Sequence, residues 1–285
     1  MKLFLKNIIL FIIPLLLINL CFYTIVYSLY FKNYENVDLN YKTYLLADSH
    51  GTQLIKKDSI NSFYNFSAPS DSYNDMLHKL EYLIKYSSIK TLIITVDDHT
   101  LSKYRETKNN EDRSIYFKNN DDIKGFYKLF KKKYINRYFP LLSPKGRDIV
   151  EMYFFKDKKK KNYKNWINIS KKSRTERCKI RIDYQFQTKE KSKILSQSLQ
   201  EIIKLCVDNN IRIYGVMFPL VSEYLKEQGD KTYGAKELFK TRSIKILDFK
   251  KSYIEREDYF FNEDHLNKIG GAVLSKEIFK NIKSL

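Results

Sequence analysis

The feature that most constrains this chain is a long uncharged stretch near its start. No charged residue lies between Lys6 and Lys32, and residues 8–31 are mostly Ile, Leu, Phe, Val and Tyr. A helix of this length can cross a bilayer core of roughly 30 Å. No small-residue cleavage site precedes Lys32, which argues against a cleaved signal peptide. The sequence therefore predicts a retained transmembrane anchor over residues 1–32, with a buried helix of a globular domain as the alternative.

The charges that flank this stretch predict its orientation. Two lysines and the amino terminus stand at one end, whereas Lys32, Glu35 and Asp38 nearly cancel at the other. Because positively charged flanks tend to stay inside, we expect a cytoplasmic N-terminus. The domain over residues 33–285 would then lie outside the cytoplasm, held to the membrane by this helix.

The positive charge of the chain is concentrated in one region. The net charge is +19, and residues 101–190 hold +15 of it, because 26 Lys and Arg residues stand there against 11 Asp and Glu. Runs of lysine at 131–133, 156–161 and 171–172 would attract anions. Nucleic acid is a common partner of such patches, but the predicted topology argues against it. We expect an anionic envelope polymer or lipid headgroups as the partner, with a solvated lysine-rich surface as the alternative.

Short apolar runs alternate with helical patterns along the rest of the chain. Strands are predicted at residues 43–47, 62–66, 91–96, 211–218 and 244–248, and helices at 73–86, 195–207 and 270–282. This alternation is typical of an α/β fold, a three-layer sandwich whose mainly parallel sheet has helices on both faces. Residues 101–190 are polar, basic and interrupted by Pro and Gly, which predicts an irregular insertion or cap within one domain over residues 33–285.

Three of the four histidines stand beside aspartates just after apolar runs. The carboxyl ends of parallel strands share one edge of a sheet, so side chains far apart in sequence can meet there. We therefore expect a single reaction site from three short blocks, which contain Asp48, Ser49 and His50, then Asp98 and His99, then Asp264 and His265.

Two of these blocks carry a resemblance to a known family. Residues 47–51 (Ala-Asp-Ser-His-Gly), together with 264–267 (Asp-His-Leu-Asn) and 270–272 (Gly-Gly-Ala), resemble the SGNH (GDSL-type) hydrolase superfamily. The resemblance extends over most of residues 43–285 and implies an SGNH/flavodoxin-like sandwich. Matched residue by residue, it implies Ser49 as the nucleophile and His265 as the general base.

The remaining members of the implied site depart from the family's pattern. The family places an aspartate three residues before the histidine, where this chain has Asn262. Asp264 is then the predicted orienting acid, and a Ser-His dyad supported by a backbone carbonyl is the alternative. Oxyanion stabilisation would come from the Ser49 N–H and from Ser70, which replaces the family's glycine. The further supporting residues would be Asp48, Asp98 and His99.

The resemblance implies acyl transfer through an acyl-serine, because an imidazole can activate a serine hydroxyl as a nucleophile. Outward-facing anchored members modify bacterial cell-envelope polysaccharides, and some receive the acyl group from a membrane-bound O-acyltransferase. An acylated glycan and such an acyltransferase are therefore the expected partners, and no cofactor or metal is expected. O-acyl esterase and O-acyltransferase use the same residues, so both activities stay open.

Two other interpretations use the same region. The block Asp48 to Gly51 also resembles the first block of calcineurin-like metallophosphoesterases, although the later blocks of that family are missing. Its two-metal site would take further ligands from Asp98, His99, Asp264 and His265. The domain could instead be a noncatalytic module that binds an anionic glycan through its basic region, in which case Ser49 would be dispensable.

Two cysteines, Cys178 and Cys206, lie beyond the membrane stretch. An oxidising exterior would permit a disulfide between them, but two cysteines do not establish one. Both the paired and the free state stay open.

Overall fold

The computed structural model describes residues 1–123, 125, 127–155 and 166–283. The chain divides into two compact units. Unit 1 consists of Met1–Val37 and Asp112–Lys161, and unit 2 consists of Asp38–Glu111 and Asn162–Leu285. The segment predicted as an insertion or cap, residues 101–190, is divided between them. The predicted anion-binding lysine run at 156–161 lies outside the described residues.

Eight helices of six or more residues and six strands are found in the described part of the chain. The helices are α1 Lys2–Val26, α2 Tyr73–Tyr86, α3 Pro144–Phe155, α4 Lys171–Gln185, α5 Lys193–Asp208, α6 Ser222–Gln228, α7 Ala235–Lys240 and α8 Lys268–Lys283. The strands are β1 Thr43–Leu46, β2 Lys57–Asp58, β3 Phe63–Asn65, β4 Thr91–Thr95, β5 Arg212–Met217 and β6 Ile246–Asp248. Shorter α-helical segments occur at Lys32–Glu35, Glu111–Ser114, Tyr127–Phe130 and Asn136–Tyr138.

Unit 1 is built around the apolar N-terminal helix. Helix α1 continues without a break through Tyr27–Phe31 to Glu35, and Lys2–Glu35 is long and apolar enough to cross a membrane, with a mean hydropathy of 2.6 in its most apolar window. At the end of α1 and in its continuation, Val26 and Phe31 pack with Ile149 and Val150 of α3. Most described residues of the segment 112–155 are thus helical, and α3 packs on the end of the apolar helix.

Unit 2 contains a six-stranded sheet in the order β2-β3-β1-β4-β5-β6. All neighbouring pairs are parallel except β2 with β3. In the centre, Leu45 of β1 is in register with Asn65 of β3 on one side and Ile93 of β4 on the other. The predicted α/β fold with a mainly parallel sheet is confirmed. The two-residue edge strand β2 was not predicted, because so short a segment carries no periodicity.

The sheet is buried on both faces. Leu45, Ile93 and Val216 belong to one apolar cluster with residues of α4, α6 and α8. Successive side chains of a strand point to opposite faces of the sheet. Leu46 and Leu92, which follow or precede these residues along β1 and β4, therefore lie on the other face, and both are fully buried. Continuous apolar strands such as β4 are the expected result of burial on two faces.

The prediction that residues 101–190 are irregular was wrong for part of the segment. It contains α3 and the 15-residue helix α4, whose Cys178 and Ile182 join the core of unit 2 together with Trp166. The buried stripe of α4 escapes a search for apolar periodicity, because two of its four members, Arg174 and Gln185, are polar. Cys178 and Cys206 are both buried and free, so no disulfide joins them.

Candidate functional site

A tight turn presents Ser49 at the carboxyl end of β1. A 3₁₀ turn, Ser49–Gln53, begins directly after Asp48, whose side chain accepts a hydrogen bond from the His50 N–H at 3.0 Å. This is the usual role of an aspartate at a helix start, where backbone N–H groups lack partners. A Cβ on Gly51 would lie 2.5 Å from Ser67 Oγ, so only glycine fits the turn.

Ser49 itself is partly exposed, unlike the buried residues on either side of it. Its hydroxyl makes no hydrogen bond to any of the described residues. The hydrogen bond with a base that the predicted nucleophile would need is therefore not made; such bonds often form only when substrate is bound.

The structure brings the three predicted histidines together. The His50 ring lies 5.2 Å from the His99 ring and 5.0 Å from the His265 ring, measured between centroids. His50 and His99 are buried, whereas His265 is partly exposed. The three blocks predicted to share one sheet edge therefore do meet at the carboxyl ends of β1 and β4.

His50 is held between two carboxylates at the centre of this group. Its Nδ1 lies 2.7 Å from Asp97 Oδ2, and its Nε2 lies 3.5 Å from Asp264 Oδ2, an ion-pair contact longer than a good hydrogen bond. Burial alone would lower the pKa of His50, but the charge of Asp48 and the contacts with Asp264 and Asp97 raise it well above its usual value. The raised pKa favours the imidazolium form of His50, whereas a general base needs the neutral form.

Asp48 lies between two further cationic or polar groups. Its Oδ2 is 3.3 Å from His99 Nε2 and 3.4 Å from Arg105. Burial acts to raise the pKa of Asp48, but His50, His99 and Arg105 together hold it well below its usual range. Burial lowers the pKa of His99, so this ring is neutral and acts as a hydrogen-bonding partner of an ionised Asp48.

Asp264 is a buried carboxylate supported from α4. Its Oδ2 accepts hydrogen bonds from Arg181 Nε at 2.7 Å and from Gln185 Nε2 at 3.1 Å, and Gln185 is held in turn by the Tyr224 hydroxyl. Although burial opposes ionisation, His265 and Arg181 keep the pKa of Asp264 well below its usual range. The helix that sequence analysis assigned to the insertion thus supplies the counter-charge of the site.

The local fold around His265 fixes which of its nitrogens carries hydrogen. Asn262 Oδ1 accepts from the backbone N–H groups of Asp264 and His265 at 3.2 and 2.8 Å, which identifies this atom as the amide oxygen. It lies 2.9 Å from His265 Nδ1, so Nδ1 is the donor, by assignment from this network. Asp264 Oδ1 lies 2.7 Å from the same Nδ1 but outside hydrogen-bond geometry. The Nε2 atom of a neutral His265 is left to accept a proton.

Two of the predicted supporting residues lie outside this group. The Asp98 carboxylate accepts from Gln228 at 2.7 Å and from Lys250 at 2.6 Å, although Asp98 lines a small cavity that His50 also lines. Ser70 is exposed and has a φ of 70°, in the left-handed region that favours glycine.

Several members of the site were not predicted as site residues. They are Asp97, Arg105, Arg181, Gln185 and Asn262. Asp97 directly follows Val96 after a buried strand and could have been found by its position at the sheet edge. Arg181 and Gln185 are four residues apart on one helix face, but nothing in the sequence indicates which surface that face meets.

One group of side chains has the spacing of a metal site. Ligand atoms of His50, Asp264 and His265 lie within 4.8 Å of one another. Asp98 is not part of the group, which departs from the predicted two-metal arrangement. A cation there would have to displace the proton of an imidazolium, because the pKa of His50 is raised.

Comparison with known proteins gives little further constraint. No family model matches the chain, and no curated protein matches its sequence. Among solved structures, a Bacteroides fragilis protein described as a candidate acylhydrolase is similar over 90% of this chain and 95% of that chain, with 9% sequence identity and a TM-score of 0.40. A likeness at that score carries no argument about the activity of this chain.

Proposed function

We propose that this protein is a membrane-anchored serine O-acyl esterase or O-acyltransferase of the SGNH type. The observation that carries the proposal is the contact of His265 with the turn that begins at Ser49, through the ring of His50 in that turn, 5.0 Å away between centroids. Asn262 fixes Nδ1 of His265 as a donor, and the neighbouring Asp264 is a buried carboxylate. A three-layer SGNH sandwich for unit 2 is part of the proposal.

The proposed reaction has two halves. Ser49 Oγ attacks the carbonyl carbon of an ester while its proton passes to His265 Nε2, and the ester C–O bond then breaks as the leaving alcohol takes that proton. The acyl group now forms an ester with Ser49. Water or a sugar hydroxyl attacks this ester while its proton passes to His265 Nε2. The bond between the acyl carbon and Ser49 Oγ then breaks, and Ser49 Oγ takes that proton, which regenerates the free serine.

The surrounding charges suit this chemistry. The Asp264 carboxylate, 2.7 Å from the ring, would stabilise the imidazolium that His265 becomes in each half-reaction. Arg181 holds that carboxylate ionised, and the Ser49 N–H at the start of its turn would serve as an oxyanion donor. Ser70 would be a second oxyanion donor, and Asp48 and His99 would support the turn, whereas Asp98 is held away from it by Gln228 and Lys250.

The substrate and setting in this proposal follow from the anchor and the charge. With the N-terminus in the cytoplasm, unit 2 would meet acylated glycans or anionic polymers of the cell envelope. A membrane-bound O-acyltransferase could supply the acyl group, in which case a sugar hydroxyl rather than water would be the acceptor. Nucleic acid would not be a partner.

The first test is turnover of a small ester by the full chain in detergent. Because Ser49 carries the acyl group, Ser49→Ala should lower kcat/KM for p-nitrophenyl acetate at least about 10³-fold, whereas Ser198→Ala on α5 should leave it unchanged. Equal activity of wild type and Ser49→Ala would refute the serine mechanism. Absence of turnover together with retained binding of an anionic polymer would favour the noncatalytic module.

A metal-dependent phosphoesterase remains a second candidate because His50, Asp264 and His265 are close enough to hold a cation. The two candidates differ in their response to chelation. A serine enzyme keeps its esterase activity in EDTA, whereas a metal enzyme loses phosphoesterase activity in EDTA and regains it with a divalent cation.

A further inference from the structure

Unit 1 exposes an unusual number of apolar side chains outside α1. We call residues 127–155 the ledge; it comprises the short helices from Tyr127 to Tyr138, the turn Pro140–Leu142 and helix α3. Large apolar groups of the ledge with at least two-fifths of their surface exposed include Phe130, Phe139, Leu142, Met152, Phe154 and Phe155. Exposed large apolar groups concentrated in one segment mark a contact with a membrane or another protein.

The ledge is packed on the apolar helix itself. Asn19 Nδ2 donates a hydrogen bond to the Tyr138 carbonyl at 2.9 Å, and the Tyr23 and Tyr138 rings stack with centroids 5.6 Å apart. Phe154 meets Phe22 edge to face at 6.4 Å. The ledge therefore contacts α1 well before the end of its uncharged stretch.

The positions of these contacts along α1 set the depth of the ledge. If the apolar layer begins at Lys6, a core of about 30 Å ends near residue 26, because a helix rises about 1.5 Å per residue. Phe22 would then lie about 6 Å inside the layer and Asn19 about 10 Å inside. The groups that touch them, the Tyr138 carbonyl and the Phe154 ring, must lie at the same depth.

The Asn19 hydrogen bond satisfies two groups that the bilayer could not. Tyr138 ends a helical segment just before Pro140, so its carbonyl lacks a partner within the helix. Asn19 is a polar side chain within the apolar stretch and is partly buried. In lipid each group would need a partner, and each is the partner of the other.

The polar groups of the ledge suit the headgroup region. Lys128, Lys131, Lys145 and Arg147 are exposed, and their long side chains can reach toward headgroups while their stems cover apolar surface. Arg137, by contrast, forms a two-point ion pair with Glu35 at the end of the apolar helix. Cations around an apolar surface are typical of segments that lie in an anionic leaflet.

We propose that the ledge is embedded in the outer leaflet beside α1, as a second membrane contact selective for anionic lipid. This inference is independent of the esterase chemistry of unit 2 and rests on α1 crossing the membrane. The partner is the bilayer itself, because the ledge contacts α1 at the depth of the hydrocarbon.

The test uses the full chain reconstituted in vesicles of phosphatidylcholine and phosphatidylglycerol. The variants Leu142→Cys and Phe154→Cys are made with Cys21→Ala, so each holds one accessible cysteine, because Cys178 and Cys206 are buried. They carry an environment-sensitive fluorophore that is challenged with doxyl-labelled lipid or with aqueous iodide. The wild-type Cys21, exposed on α1, reports the depth of the helix, and Ile60→Cys, at an 89% exposed site of unit 2, reports water.

The proposal expects labels at 142 and 154 to be quenched by doxyl lipid as strongly as the label at Cys21, and iodide to quench only the label at 60. Quenching of 142 and 154 by iodide would overturn it. Protection of both labels from both quenchers would also overturn it, in favour of a protein partner or a second copy on the ledge. Quenching of the Cys21 label by iodide would show instead that α1 does not span.

Discussion

At the scale of single residues, the positive charge of His50 offsets the negative charge of three buried carboxylates. Asp48, Asp97 and Asp264 are each at least nine-tenths buried. The His50 ring directly contacts Asp97 and Asp264. Removing one partner of a buried ion pair leaves the other charge uncompensated, which destabilises the fold more than replacing both partners by apolar residues. His50 is thus a positioning residue in the proposed site rather than a proton acceptor.

We expect His50→Gln to lower the free energy of unfolding by about 3 kcal/mol near neutral pH. The raised pKa of His50 makes its contribution fully present below the unfolded value of 6.5 and lost as pH rises through the folded value. The difference between wild type and variant should therefore shrink at alkaline pH. Chemical unfolding followed by the single tryptophan, buried Trp166, would measure it, and a pH-independent difference would contradict a charged His50.

Asn262 offers a second test at this scale. Asn262 stands three residues before His265, where the family that the sequence resembles has an aspartate. Its Oδ1 accepts a hydrogen bond from His265 Nδ1. Asn262→Asp would keep those acceptor contacts and add a negative charge, which stabilises the imidazolium that His265 becomes in the proposed reaction. Esterase kcat/KM should then be retained, whereas Asn262→Leu, which removes the acceptor, should lower it about 10²-fold. Equal activity of wild type and Asn262→Leu would show that Asn262 does not orient the base.

At the scale of elements, close packing of α8 on the Ser49 turn decides where the site forms. A Cβ on Gly271 would lie 2.1 Å from the Gln53 carbonyl oxygen, so the first turn of α8 rests directly on the end of the Ser49–Gln53 turn. His265 precedes α8 by only a few residues. The glycine therefore sets the separation between the two predicted catalytic blocks.

Gly271→Ala should destabilise unit 2 by about 2 kcal/mol, because the Gln53 backbone lies against α8 at this position and leaves no room for a methyl group. It should also lower esterase turnover by displacing Ser49 from His265. Lys276→Ala, on the exposed side of α8, is the matched control and should change neither property. Both variants would be compared with wild type by thermal unfolding and ester hydrolysis. A Gly271→Ala protein with wild-type stability and turnover would contradict the close packing.

Elements with a clear period were predictable from the sequence, and tertiary contacts were not. Helix α2 spans Tyr73–Tyr86 as its pattern indicates, with Ser72 and Asp75 forming a capping box at its start. Contacts such as Arg181 with Asp264 join residues 83 apart, and no local pattern encodes them. The meeting of His50 with His99 was predictable because β1 and β4 are parallel and end at one edge of the sheet. His265 reaches them from a loop before α8, and its position and the role of Asn262 both depend on the conformation of that loop.

At the scale of the whole molecule, the chain combines an apolar helix with an α/β unit whose polar site is formed at one sheet edge. Unit 1 carries α1 and the ledge, and unit 2 carries Ser49 and its partners. In the proposed function the first unit holds the protein in the membrane and the second performs acyl transfer. The sequence indicated both parts, but placed the ledge and α4 together in one irregular insertion.

The most direct test of the proposed function is labelling of the full chain by a serine-reactive fluorophosphonate, with mass spectrometry to locate the adduct. An activated serine reacts because its proton can pass to the histidine, whereas an ordinary surface serine does not react. The predicted result is a single adduct on Ser49 that disappears in His265→Gln and persists in Ser198→Ala. An unmodified Ser49 in protein that still hydrolyses p-nitrophenyl acetate, or an adduct that survives His265→Gln, would contradict it.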